Sequence, residues 1–145
     1  MTFKVYEKYL IKNYLNIIFQ VSIIFYTIIF ILNIFEEVNF FKDTEVNFLY
    51  PFLLTFLNSP SLLYDIFPFI FLISTQFFFI KFNQKNELII FKNNGIDNFK
   101  ILKLLIFISI ILALIINSAF YYISSNLKYS YLELKNKYST DNKYL

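Results

Sequence analysis

Three blocks of this 145-residue chain carry almost no charge, and their spacing sets its organisation. The first runs from Asn13 to Phe35, between Lys12 and Glu36. At about 1.5 Å per residue it reaches roughly 35 Å, enough to cross a bilayer core with some tilt. It is far longer than the apolar stretch of a secretory signal, and no small-residue cleavage site follows it. Residues 13–35 therefore read as a retained transmembrane helix. Ahead of it, Lys4, Lys8 and Lys12 recur every four residues on one helical face, with Tyr6, Tyr9 and Tyr14 interleaved. Residues 1–12 fit a cytoplasmic interfacial segment, with ammonium groups at anionic headgroups and tyrosines in the belt. Topology signal and anchor is the plainer reading of that segment, and a specific lipid site the sharper one.

The second block, Val46 to Ile80, is broken only by Asp65. It is too long for one crossing and too short for two with a turn. Ser59-Pro60 divides it, because Ser is a favoured N-cap and Pro a favoured first helical residue. This predicts a second transmembrane helix over 60–81. Residues 36–59 become a periplasmic acidic loop, bearing Glu36, Glu37, Asp43 and Glu45, followed by an interfacial segment. Pro68 in the third turn removes the hydrogen bond to the Tyr64 carbonyl and predicts a kink. A loop over 82–103 follows, then a third transmembrane helix over 104–127. The polar tail, 128–145, has no predicted structure. The expected fold is an all-α integral membrane protein with three transmembrane helices and a short cytoplasmic helix between the second and third. Eight lysines lie in the N-terminal segment and the 81–103 loop, against five elsewhere. The positive-inside rule then places the N-terminus in the cytoplasm.

Composition agrees and removes whole classes of function. The chain is 58% hydrophobic with a mean hydropathy of +0.58, against about 45–50% apolar in soluble domains. With no His and no Cys, zinc sites, cysteine nucleophiles and His-based triads are excluded, and neither a metal nor a cofactor is expected. A single Gly rules out a glycine-rich phosphate cradle. All 13 basic residues are lysines, which speaks against nucleic acid as a partner.

Asp65 is the only ionisable residue inside an apolar block. Intramembrane carboxylates are costly and often functional. Counted from Pro60, however, it lies about 7.5 Å along the helix, near the headgroups and favourably placed for the helix dipole. An interfacial position is the first reading and a cavity-lining role the second. Residues 83–95 are more informative. Asn83 can cap a helix start, and Gly95 can take the left-handed conformation that ends one. A helix over 84–94 would carry Leu88 and Phe91 on one face, with Glu87 and Phe91 neighbours at i, i+4.

The order LNSPSLLYDIFPFIFL, then NELIIFKNNGI, resembles the lipopolysaccharide-export ABC transporter permease family (LptF/LptG, also YjgP/YjgQ), N-terminal portion. The resemblance rests on Pro60 and Pro68 eight residues apart, on Glu87-Leu88 followed by Gly95-Ile96, and on Tyr9 to Lys12 at the start. It spans roughly residues 5–130. It implies a multi-pass protein of the bacterial inner membrane, working with a cytoplasmic ABC-type ATPase dimer, a second related permease subunit and a periplasmic lipopolysaccharide carrier. Lipopolysaccharide would be the substrate and ATP hydrolysis the partner's task. Helix 84–94 would be the coupling helix: Glu87 pairing with a basic group on the ATPase, Leu88 and Phe91 as apolar anchors, Gly95 as its end. Ser59, Pro60 and Pro68 would shape the second helix. Phe25, Ile29, Leu32, Glu36 and Asp65 would line the lipid cavity. Glu36 and Glu37 depart from members that are basic at this place, and the acidic loop tilts the resemblance towards LptG. Members of the family have six transmembrane helices and a periplasmic jellyroll, so the expected chain is a fragment, or a truncated or split product. Two rival readings are a small membrane anchor or assembly protein without transport, and an intramembrane enzyme around Asp65, which lacks any second acid, His or Cys to complete a site.

Overall fold

The computed structural model describes residues 4–42 and 47–138. Its elements are α1 (Val5–Phe40), α2 (Leu49–Asp65), α3 (Phe67–Gln84), α4 (Glu87–Asn93), α5 (Asn98–Ile115), a π-helical turn (Ile116–Phe120) and α6 (Tyr121–Asn136). Two helical stretches are long and apolar enough to cross a membrane, Val5–Phe40 and Asn98–Asn136. The pair α2 and α3, broken at Ile66, makes a third if it counts as one span. The protein is an all-α membrane protein, as the hydrophobic pattern predicts. Asp43, Glu45 and the tail beyond Tyr138 lie outside the described residues.

The chain divides into two compact units, Met1–Ser22 with Pro68–Ile115, and Ile23–Phe67 with Ile116–Leu145. In the first unit, α1 buries Leu10, Tyr14, Ile17, Ile18 and Val21, while α5 buries Ile101, Leu105 and Ile108. On α3, Ile70, Ser74, Phe78 and Phe82 recur every four residues, which makes a single inward stripe. A chain of hydroxyls fastens the three helices. Thr75 donates to the Phe71 carbonyl at 2.8 Å, so it must accept from Tyr14 at 2.9 Å. The Tyr14 hydroxyl in turn accepts from Ser109 at 2.9 Å, because each hydroxyl has one proton to give. Interhelical bonds of this kind contribute about 0.6 kcal/mol each on average in a membrane, so their value is as much register as stability.

The second unit is held by polar groups. The inward face of α2 carries Pro51, Leu54, Thr55, Asn58, Ser59, Ser61 and Leu63, of which Thr55, Ser59 and Ser61 are small enough to let neighbouring backbones approach closely. Asn58 donates to the Asn33 side chain at 3.2 Å, and Asn33 reaches the Thr55 carbonyl at 3.5 Å. At the end of α1, Glu37 is 1% exposed, and its Oε1 accepts from Lys135 and from Tyr131, each at 2.8 Å. The Lys135 ammonium lies 4.6 Å from the Phe40 ring centre. Phe41, Leu54 and Tyr131, flanked by Tyr50, Leu57 and Leu132, form the apolar cluster beside this ion pair.

The structure corrects several expectations. Pro60 does not begin a helix; it lies inside α2, and the Ser59 hydroxyl donates back to the Thr55 carbonyl at 2.6 Å instead of capping. Buried side chains at Pro51, Leu54 and Thr55 keep residues 49–58 helical and continuous with 60–65. They are not a separate interfacial segment. The break falls at Ile66 (φ −95°, ψ 3°), so Pro68 stands in the first turn of α3. There its missing N–H costs no bond within α3, and the kink expected between Tyr64 and Pro68 is present as the bend at Ile66. Residues 128–136 belong to α6, ordered by burial of Ser124, Tyr131 and Lys135. Asn83 is part of α3 and caps nothing.

Removing one partner of the buried pair should expose its cost. Lys135→Ala is expected to lower unfolding free energy by about 3–5 kcal/mol, and adding Glu37→Leu should restore much of it. Equilibrium unfolding of the full chain in mixed micelles measures both. A loss below about 1 kcal/mol, typical of a solvated surface pair, would contradict the buried arrangement.

Candidate functional site

Within the 83–95 segment only Glu87–Asn93 form α4, two turns of helix between two left-handed residues and shorter than the expected 84–94, because α3 runs on to Gln84. Asn86 (φ 54°) turns the chain out of α3, and Gly95 (φ 76°) turns it out of α4. The end of α4 follows the Schellman pattern: Ile96 N–H donates to the Phe91 carbonyl at 3.0 Å, and Gly95 N–H to the Lys92 carbonyl at 2.9 Å. Open space surrounds Gly95, so backbone conformation alone calls for glycine there.

One face of α4 is bound to its own unit. The Tyr9 hydroxyl donates to Glu87 Oε1 at 2.8 Å, and the Lys85 ammonium lies 3.9 Å from the same oxygen. The Glu87 side chain is only 15% exposed. Phe91 packs edge-on against Tyr6, with ring centres 6.3 Å apart, and tilted against Phe82 at 5.3 Å. From Phe82 the rings continue to Phe78 at 5.4 Å and from there to Tyr14 at 5.6 Å. An aromatic column therefore joins α4 to the hydroxyl chain at Tyr14.

Ile89, 56% exposed, lies on the opposite face with Lys92 and Asn93. Ile90, equally exposed, lies at the edge of that face, towards Tyr6 and Tyr9. Leu88 is half-buried. The resemblance drawn from the sequence casts Glu87 and Phe91 as outward contacts, whereas in the structure Tyr9 holds Glu87 and Tyr6 and Phe82 hold Phe91. The partners Tyr6, Tyr9 and Phe82, and the outward pair Ile89 and Ile90, escaped the sequence reading, because only tertiary packing chooses which face of so short a helix turns inward. A family model described as lipopolysaccharide export system permease LptF/LptG matches residues 8–145.

The chain belongs to the LptF/LptG family. Its members are permease components of a multi-subunit lipopolysaccharide export system, which accords with the multi-pass helical fold. No curated protein matches the chain, and no solved structure does. Of the other residues that the LptF/LptG resemblance singles out, Phe25, Ile29, Leu32, Glu36, Ser59, Pro60 and Asp65 fall in the second unit, and Pro68 in the first. Leu32 is 61% exposed; Glu36 and Asp65 are also exposed, and Asp65 is the last residue of α2.

Tyr9→Phe and Glu87→Gln should each loosen α4. A double-mutant cycle is expected to return a coupling of about 1–2 kcal/mol, as for a hydrogen bond to a charged group. Hydrogen exchange at residues 87–93 reads it, and additive effects would show that the bond does not hold the helix.

Proposed function

We propose that this LptF/LptG-family chain is part of the membrane permease subunit of an ATP-driven exporter that extracts lipopolysaccharide from the bacterial inner membrane for transport to the outer membrane. Its N-terminus and α4 lie in the cytoplasm, and α4 is the coupling helix on which the ABC-type ATPase dimer acts. The observation that carries this reading is the division of α4 into two faces. Ile89 and Ile90 are presented outward as apolar anchors, while Glu87 and Phe91 fix the helix to α1 and α3. Leu88 completes the apolar surface and Gly95 ends it.

The mechanism is mechanical. Closure of the ATPase pair presses on α4, and the Tyr9–Glu87 bond and the Phe91–Phe82–Phe78–Tyr14 column pass that displacement to α1 and α3. Helix α1 is continuous from Val5 to Phe40, so movement of its first turns travels along the helix itself. Phe25, Ile29, Leu32 and Glu36 follow at i, i+4, i+7 and i+11 on one of its faces. That face contributes the wall along which acyl chains leave the membrane. The ATPase, a second related permease subunit and a periplasmic carrier supply the remaining parts, and hydrolysis belongs to the ATPase.

Ile89→Asp combined with Ile90→Asp should abolish co-purification of the ATPase through an N-terminal tag while membrane insertion stays unchanged. Glu87→Lys should weaken it, by placing an ammonium group beside Lys85 and removing the Tyr9 bond. Undiminished recovery of the ATPase by the double aspartate variant would sink the assignment of α4.

A further inference from the structure

An open groove runs beside α4. Val5, Tyr6 and Tyr9 from the first two turns of α1 make one wall, and Ile90, Phe91 and Ile96 the other, around about 500 Å³. The walls are tied together by the Tyr9–Glu87 bond and the Tyr6–Phe91 ring contact. Val5 is 88% exposed, so none of the described residues of its own unit covers the mouth.

Exposed lysines outnumber acids beside the groove. Lys4, Lys8 and Lys12 are exposed on α1, and the Lys100 ammonium stands 3.4 Å from the Gly95 carbonyl at the Ile96 end. Among the described residues none of these four lysines is in an ion pair. The acids nearby are Glu7, which accepts from Tyr6 and the Lys4 backbone N–H, Glu87, held by Tyr9 and Lys85, and the exposed Asp97 next to Ile96. An apolar slot beside an excess of positive charge fits an apolar side chain borne on an acidic surface. A lipid fits poorly, because Val5, Tyr6 and Tyr9 precede Lys12 and the apolar block from Asn13. Acyl chains anchored at those lysines would run away from the groove.

We propose that this groove is a second half of the ATPase docking surface, receiving one bulky apolar side chain from an acidic patch of the ATPase. The inference rests on the reading of α4 as the coupling helix and extends it: the ATPase grips α1 directly as well as pressing α4. The strength of its contact then depends on salt through the lysine rim.

The test uses the full chain in phosphatidylcholine nanodiscs and the purified export ATPase of the same bacterium. With benzoylphenylalanine in place of Val5, irradiation should yield an adduct to an Asp- and Glu-rich ATPase segment. Val5→Trp, which fills the slot, and the pair Lys4→Glu with Lys8→Glu should each weaken ATPase binding about tenfold. An adduct to lipid or to a second copy of the chain would overturn the proposal. So would wild-type affinity in both variants, with the role of α4 left standing because the unaltered chain still binds. Failure of the unaltered chain to bind the ATPase would remove both.

Discussion

A helix of seven residues is not stable by itself in water, because nucleation costs more than so few hydrogen bonds return. Everything α4 does therefore depends on what holds it. Asn86 and Gly95 bend the chain sharply at either end, and the Schellman bonds at Gly95 and Ile96 satisfy carbonyls that would otherwise be orphaned. Tyr9, Tyr6 and Phe82 then fix its inner face. The result is a small element whose orientation is set by α1 and α3, with two isoleucines turned outward.

The two units solve the bilayer's demands in different ways. In the first, apolar stripes on α1, α3 and α5 interlock, and three hydroxyls fix their register with little polar burial. The second relies on buried amides and an ion pair, Asn33 with Asn58 and Glu37 with Lys135. Such groups are costly to desolvate, and removing one partner leaves the other buried and unpaired. They specify which face of α2 and α6 turns inward more sharply than leucines would, because a misplaced carboxylate or ammonium has no alternative partner.

Much of this was legible in the sequence. The uncharged blocks determined that the protein is an all-α membrane protein, because backbone groups in hydrocarbon must be satisfied within a helix. The left-handed stop at Gly95 and the existence of a short helix before it followed from local chemistry, while the LptF/LptG family was legible as a resemblance in the order of motifs. Local chemistry misjudged the second block. Ser59-Pro60 has the signature of a helix start, yet burial of Leu54, Thr55 and Asn58 carries the helix through it, and the break moves to Ile66.

Only the tertiary structure decided which charges are buried and which faces are free. Glu36 and Glu37 are adjacent and chemically alike, yet Glu36 is exposed and Glu37 is buried against Lys135 across nearly a hundred residues of sequence. Glu87 and Phe91 share a face with either of two destinations, inward or outward, and spacing is blind to the difference. The packing of Tyr6, Tyr9 and Phe82 supplies the answer, because a hydrogen bond to a carboxylate and two ring contacts on one side leave Ile89 and Ile90 on the other. Sequence determined the helices and their kind; contacts distant along the chain determined what each helix presents.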